Sequence, residues 1–367
     1  MFREQIKMPA NGQSLFQKFC LHHKESKNPV VIFGAGDQGL GQRKYLSSLG
    51  IPVAAFCDND PQKQGATLKD IPVLSLEEVA AWNCSVDILL NDSYYAEKQT
   101  QIAALDNPSL VPWRFDLFSP VFKGFDHAYV EEHLDEFERS YQLLEDDCSR
   151  KVFCAILNAV CTGDLSYYDA IQSDGEYFPK DILPMRDDHS YVDVGAFDGN
   201  TCQAFADCFH GRYRKIYAFE PVPSSAERVL KRGLPRLELY PVAASDQEGS
   251  FPFRYNDYCD TPMATTVEFP SGTGPIHTLK TDTIDHVLDG QEATFIKMDI
   301  EGSELAALKG AAQTIRTDKP FLAICVYHKR EDLITIPQYL KELVPEYKLY
   351  LRHHSLTPVD TVLYCRL

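Results

Sequence analysis

Positive charge is scarce in this chain: 36 Lys and Arg stand against 53 Asp and Glu among 367 residues, a formal charge of −17. Such a molecule repels polyphosphate backbones and anionic lipid, which argues against nucleic acid or membrane as its main partner. A short basic run such as "YHKR" suffices only for a single phosphate. Long apolar runs are missing too. No stretch nears the about 18 consecutive apolar residues of a membrane span, and the opening "MFREQIKMPANGQSLFQKF" lacks the core of a signal peptide. Eleven cysteines are present, yet none form a C-x-x-C pair, and they lie scattered beside apolar neighbours. The common zinc and dithiol frameworks are thereby disfavoured, and reduced core thiols are expected. A cytoplasmic location follows, where thiols stay reduced. There is no short-period repeat and no low-complexity tract.

What remains is an ordinary globular composition, 44% apolar and 24% charged, long enough for two unequal domains. From Pro29, short apolar runs ("VVIF", "VAAFCDND", "IPVLSL", "VDILLND") alternate with helical patterns, which predicts a small parallel α/β domain over residues 1–120. Residues 121–176 carry apolar positions at helical spacing with acidic residues opposite. They are read as a helical connecting layer packed on one domain or on a second subunit, so a homodimer is plausible on this pattern. Residues 177–367 return to α/β, with strands expected at "SYVDVG", "KIYAFEPV", "LELYPVAAS", "ATFIKMDI", "PFLAICVYH", "YKLYLRHH" and "TVLYCRL". The last two follow closely, as in an antiparallel edge pair. Seven strands with that ending differ from a six-stranded dinucleotide fold.

Two glycine turns follow strands. In the first, Gly34, Gly36 and Gly39 have G-x-G-x-x-G spacing, and Asp58 closes the next strand about 20 residues on, where a carboxylate takes ribose hydroxyls. A nucleotide site and a mere close-packing turn are both consistent with this. The second turn, "DVGAFDGNT", holds Asp193 in the strand and Asp198 in the loop. Two carboxylates beside a pyrophosphate are repulsive, so the turn suits a cationic or zwitterionic ligand without phosphates, such as S-adenosylmethionine. Glu220, at the end of "IYAFE", is placed to hold both ribose hydroxyls.

With "DVGAFDGNT", "AFEPVP", "VAASDQEG" and "IKMDIEGSE" in this order, residues 177–367 resemble the FkbM family of S-adenosylmethionine-dependent methyltransferases. The resemblance implies a class I, seven-strand, Rossmann-like fold. It implies that Asp193, Gly195, Ala196, Asp198, Gly199 and Thr201 line the methionine end of the cofactor, Glu220 the ribose, and Ala244 and Ser245 the adenine. The N-terminal unit, through "VIFGAGDQG", "FCDNDPQKQG" and "IPVLSLEEV", resembles the nucleotide-sugar-binding domain of some bacterial sugar-modifying enzymes. That implies a sugar, nucleotide-sugar or glycan-type hydroxyl as methyl acceptor.

Methyl transfer is in-line displacement at an activated carbon, so positioning supplies most of the rate, and an alcohol acceptor also needs a group to take its proton. Asp299 ends a strand at the crevice where open α/β sheets bind ligands, with Glu301 and Glu304 behind it. Asp299 is read as base or as orienter of the cofactor's amino group, and Glu304 as a charge on the first turn of the next helix. His328 ends the following strand and is the second candidate base, because an ordinary pKa near 6.5 leaves much of it neutral. Lys329 is expected to pair with an anionic acceptor, and His353 and His354 to reach the pocket rim. A metal held by Asp299 with these histidines is not expected, since the ligand spacing is unconvincing. Two other readings stand beside this one: an NAD(P)-linked oxidoreductase using the first turn, and a non-catalytic nucleotide-binding assembly protein.

Overall fold

The computed structural model describes residues 2–90, 92, 94–254, 265–266 and 276–367. Strands β1 (Val30–Phe33), β2 (Val53–Cys57), β3 (Thr67–Leu68), β4 (Ile71–Leu74), β5 (Val86–Leu89) and β6 (Leu110–Trp113) form one sheet in the order β3-β4-β2-β1-β5-β6. All pairs are parallel except β3 with β4. Along β1, Val30 and Ile32 enter one apolar cluster while Val31 and Phe33 enter the cluster on the other face. Both faces are covered, as a parallel sheet requires.

Helices over 127–132, 134–142 and 147–162 follow. The last is buried on nearly every side, from Val152 through Cys161. Its apolar face does not wait for another subunit, because the layer packs on the second α/β unit of the same chain. The Glu145 N–H donates to the Leu349 carbonyl (2.8 Å) and the Leu351 N–H to Ser149 Oγ (2.8 Å). The chain's first residues dock here as well: Phe2 stacks near Tyr141 and Phe153, and Asn158 bonds the backbone of Gln5 and Lys7. The N-terminal sheet is tied on by the Asp116 N–H to the Gly163 carbonyl (2.9 Å) and by Arg114 to Asp169.

The second unit contains β7 (Ser190–Val194), β8 (Lys215–Phe219), β9 (Leu237–Tyr240), β10 (Ala243–Ala244), β11 (Gly249–Arg254), β12 (Thr265–Thr266), β13 (Ile276–Asp282), β14 (Phe295–Met298), β15 (Phe321–Cys325), β16 (Lys348–His353) and β17 (Thr361–Arg366). Seven of them make the main sheet, ordered β16-β17-β15-β14-β7-β8-β9. Only β17 runs against its neighbours, and it inserts between β15 and β16. The expected antiparallel pair is present, but only β16 lies at the edge. Strands β10 to β13 form a second, four-stranded sheet that the sequence pattern did not reveal. Proline at 252 and polar alternation in "GSFPFR" mask a strand there. No disulfide joins the described cysteines, and six of them are buried.

Chain direction decides where a ligand fits. From β7 the sheet continues to β8 and β9 on one side, and to β14 and β15 on the other. The loops after β7 and β14 therefore diverge and leave a crevice at their carboxyl ends.

Candidate active site

The turn after β7 is built from backbone conformations that disfavour side chains: Gly195 (φ 82°), Phe197 (φ 51°) and Gly199 (φ 80°) are all left-handed. A Cβ on Gly195 would stand 2.1 Å from the Asp299 carbonyl oxygen, so only glycine lets the two loops touch. Glu220, just beyond β8, closes the turn from the other side. Its two carboxylate oxygens accept the N–H groups of Phe197 and Val222, both at 2.8 Å. Each oxygen keeps a lone pair for a further donor. Burial pushes the Glu220 pKa up to about 7, with the two N–H groups and Lys297 pulling the other way.

Asp193 is wholly buried and does not face a ligand with a free charge. Lys297, its register partner on β14, lies 3.1 Å from Oδ1, while Thr201 and Cys202 donate to Oδ2. Lys297 also donates to the Gly195 carbonyl (2.9 Å). Asp198 is likewise occupied, by Asn200 and by Arg232 at 3.4 Å. The expectation that these two carboxylates repel phosphates is thus corrected: neighbouring cations neutralise both, and the uncompensated acids are Glu220 and the group around Asp299. Ala196 is buried and bonds the Phe219 carbonyl; Ala244 is buried on β10, and Ser245 borders the helix carrying Gly310.

Asp299 follows β14 and keeps about a quarter of its side chain accessible. Tyr177 donates to Oδ2 (2.9 Å) and Tyr327 to Oδ1 (3.4 Å). Burial would raise its pKa, but Lys297, His328 and the Tyr177 hydroxyl overcome this and hold it low. Glu301, forced to φ 56°, stands on the open side, where burial raises its pKa to about 7. Glu304 is fully buried; instead of facing solvent at its helix start, it turns back to accept the Ile300 N–H (2.8 Å).

His328 lies among these acids. Its Nδ1 is 2.9 Å from Glu304, and its Nε2 is 3.4 Å from Asp299 and 3.7 Å from Glu301. Burial alone would strip its proton, yet Glu304, Asp299 and Glu301 reverse this and bring the pKa up to about 9. A neutral histidine base near pH 7 was the expectation; the surrounding carboxylates make it a cation instead. Lys329 donates its backbone N–H to Asp332 (2.7 Å) and lays its side chain along Gly302. His353 is not at a rim. It is completely buried, stacked on Tyr168 at 4.6 Å and bonded to Thr361, and burial lowers its pKa to about 3. His354 is engaged with Ser173 and Tyr364. No motif pointed to Tyr177, Tyr327 or Lys123, whose ammonium reaches the Tyr327 carbonyl from the connecting layer. The period-2 rule on β14 marks Lys297 as sharing a face with Phe295, a signal that its burial was open to reading.

In the N-terminal unit, Gly39 is a packing glycine, since a Cβ there would meet the Gly34 carbonyl oxygen at 2.1 Å. Around Gly36, which caps the helix over 37–48 without a side-chain bond, an added Cβ would touch none of the described residues. Gly34 (φ 139°) lies beside Asp92 and Lys98. Asp58 accepts the Ala35 N–H (2.8 Å) and pairs with Lys63 (3.1 Å).

The family match of the C-terminal half makes it an S-adenosylmethionine-dependent methyltransferase domain. Residues 193–353 match the family model described as Methyltransferase FkbM domain. A solved structure, the methyltransferase FkbM of Methylobacillus flagellatus, shares the fold over 98% of this chain and 94% of its own, with TM-score 0.72 and 23% identity. Fibrillarin of Aeropyrum pernix, crystallised with S-adenosyl-L-methionine, matches 50% of this chain and 68% of its own at TM-score 0.32 and 12% identity. An rRNA methylase of Streptococcus thermophilus matches 49% and 88% at 0.31 and 14%. No curated protein matches the sequence. No helix among the described residues is long and apolar enough to cross a membrane.

Proposed function

We propose that the protein methylates a hydroxyl of a sugar, nucleotide-sugar or glycan-type acceptor, in the cytoplasm. The observation that carries this reading is the pair of acids facing one glycine turn: Glu220, with unused lone pairs, and Asp299, still accessible, beyond Gly195. When bound, S-adenosylmethionine supplies an electrophilic methyl carbon on a sulfonium. Glu220 would hold the ribose hydroxyls and the 195–201 turn the methionine end, with Ala244 and Ser245 toward the adenine. Asp299, held low in pKa by Lys297, His328 and the Tyr177 hydroxyl, would attract the sulfonium and ammonium charges or take the proton of the acceptor hydroxyl. Glu301 and Lys329, on the open side, contact the acceptor. His328, enclosed by Glu304, Asp299 and Glu301, positions these acids and is not the base.

For the N-terminal unit, the open helix start at Gly36, with Gly34 and Asp58, favours a nucleotide part of the acceptor, while Gly39 serves packing. The reading needs no second copy of the chain, because the helical layer is already covered. Thermal shifts with S-adenosylhomocysteine, NAD and UDP, each alone, test it. Stabilisation by S-adenosylhomocysteine, followed by label transfer to a member of a hydroxyl panel, is expected. A shift with NAD and none with S-adenosylhomocysteine would sink it in favour of an oxidoreductase.

A further inference from the structure

Asp299, Glu304 and His328 each offer one donor atom within 4.8 Å of the others. Bonds of about 2.1 Å to one cation draw ligands to about 3 to 4.3 Å from each other, so small rotations suffice to close this set. A cluster of acids alone would mean little. Here, however, the His328 side chain is 8% exposed and Glu304 is fully buried. Among the described residues, both imidazole nitrogens and Glu304 Oε2 find no hydrogen-bond partner of good geometry. The ring therefore lies at ion-pair distance from three carboxylates without the alignment that a hydrogen-bonded imidazolium would adopt. Buried polar atoms left in this state are costly unless something else satisfies them.

Charge points the same way. Asp299, Glu301 and Glu304 set three carboxyl groups around one imidazole. The nearest lysines have other contacts, Lys297 with Asp193 and the Gly195 carbonyl, and Lys123 with the Tyr327 carbonyl. Glu301, 3.7 Å from Nε2 and half exposed, stands on the side open to the crevice as a fourth donor or a gate. His353, buried, and His354, half-buried, the histidines that the sequence suggested, are engaged elsewhere and contribute nothing.

We infer that Asp299, Glu304 and His328 form a divalent-cation site at the floor of the crevice, with an open position toward the acceptor. Mixed carboxylate and imidazole donors suit Mn²⁺ or Zn²⁺ better than Ca²⁺. Resting on the methyl-transfer reading above, the cation would bind the acceptor hydroxyl and make its proton easier to lose. The site itself does not depend on that reading.

Mn²⁺ added to chelator-treated protein and followed by electron paramagnetic resonance tests it, with the S-adenosylhomocysteine thermal shift measured on the same samples. One Mn²⁺ per chain is expected, weakened at least about 10-fold by Glu304→Gln and by His328→Gln, and less by the half-exposed Glu301→Gln. Variants that keep the S-adenosylhomocysteine shift are folded, and the comparison rests on those. Absence of Mn²⁺ binding in wild type, or binding that none of the folded variants weakens, overturns the site. Loss of the S-adenosylhomocysteine shift in wild type overturns the methyl-transfer reading instead and leaves the Mn²⁺ result to stand alone.

Discussion

The chain contains two turns of similar construction that differ in charge. After β1, Gly34 bends the chain and Asp58, from the next strand, accepts a loop N–H; after β7, Gly195 and Glu220 do the same, each acid at 2.8 Å from its donor. In the first turn the circuit is closed: Lys63 pairs with Asp58, and Lys98 with Asp92 at the mouth of β5. Burial raises the Asp58 pKa, but the Asp60 and Ala35 N–H groups and Lys63 more than offset it, so the carboxylate titrates below its ordinary range. In the second turn, Glu220 has no cation in contact among the described residues, and Asp299, at the equivalent mouth of β14, shares one histidine with two further acids. The backbone bend is thus common to both. Among the described residues, Asp58 has a lysine at ion-pair distance, whereas Glu220 and Asp299 have neither lysine nor arginine there.

The largest expected break in this comparison lies at the strand mouths. Asp299→Asn should lower kcat by about 10²- to 10⁴-fold if the carboxylate takes the proton, whereas Asp92→Asn should leave methyl transfer unchanged; equal effects would end the distinction. Next come the acids that clasp the turns. Glu220→Ala should abolish stabilisation by S-adenosylhomocysteine in a thermal-shift assay, and Asp58→Ala should not.

Glycine substitutions sharpen the geometry. Gly195→Ala meets a backbone oxygen at 2.1 Å with φ at 82°, while Gly36→Ala meets none of the described residues. Urea unfolding should show a loss of at least about 2 kcal/mol for the first and within about 0.5 kcal/mol for the second. The smallest effect concerns pH. Because the folded pKa of Glu220 is raised to about 7 from 4.5, the folded state binds more protons than the unfolded state between those values. This group therefore makes the ligand-free protein less stable as pH rises from 4.5 to 7. Glu220→Gln should flatten the stability profile across that window, and an unchanged slope would contradict the assignment.

Much of this was legible in the chain. Apolar runs of four to six residues between helical patterns mark two parallel sheets, because strands buried on both faces have no polar alternation. Glycines at strand ends mark the turns, and acids at strand ends mark the crevice, because chain direction alone puts those ends on one side of a sheet. What a linear reading could not give was the charge state of any of them. Asp193 looked like a ligand-facing carboxylate until Lys297 arrived beside it across a strand pair of 104 residues' separation. His328 looked like a neutral base until Glu304 and Asp299 closed around it, and His353 looked like a rim residue until β16 turned it inward against Tyr168.

The sequence by itself determined the strands of the two larger sheets, the bends and the sort of fold they make, since those follow from local propensity and from the period of apolar residues; the four-stranded sheet did not show in that period. Which acids are paired, which remain open, and whether a histidine carries a proton were decided only by tertiary structure. Electrostatic energy depends on distance and burial, and neither is a property of residues taken in order along a chain.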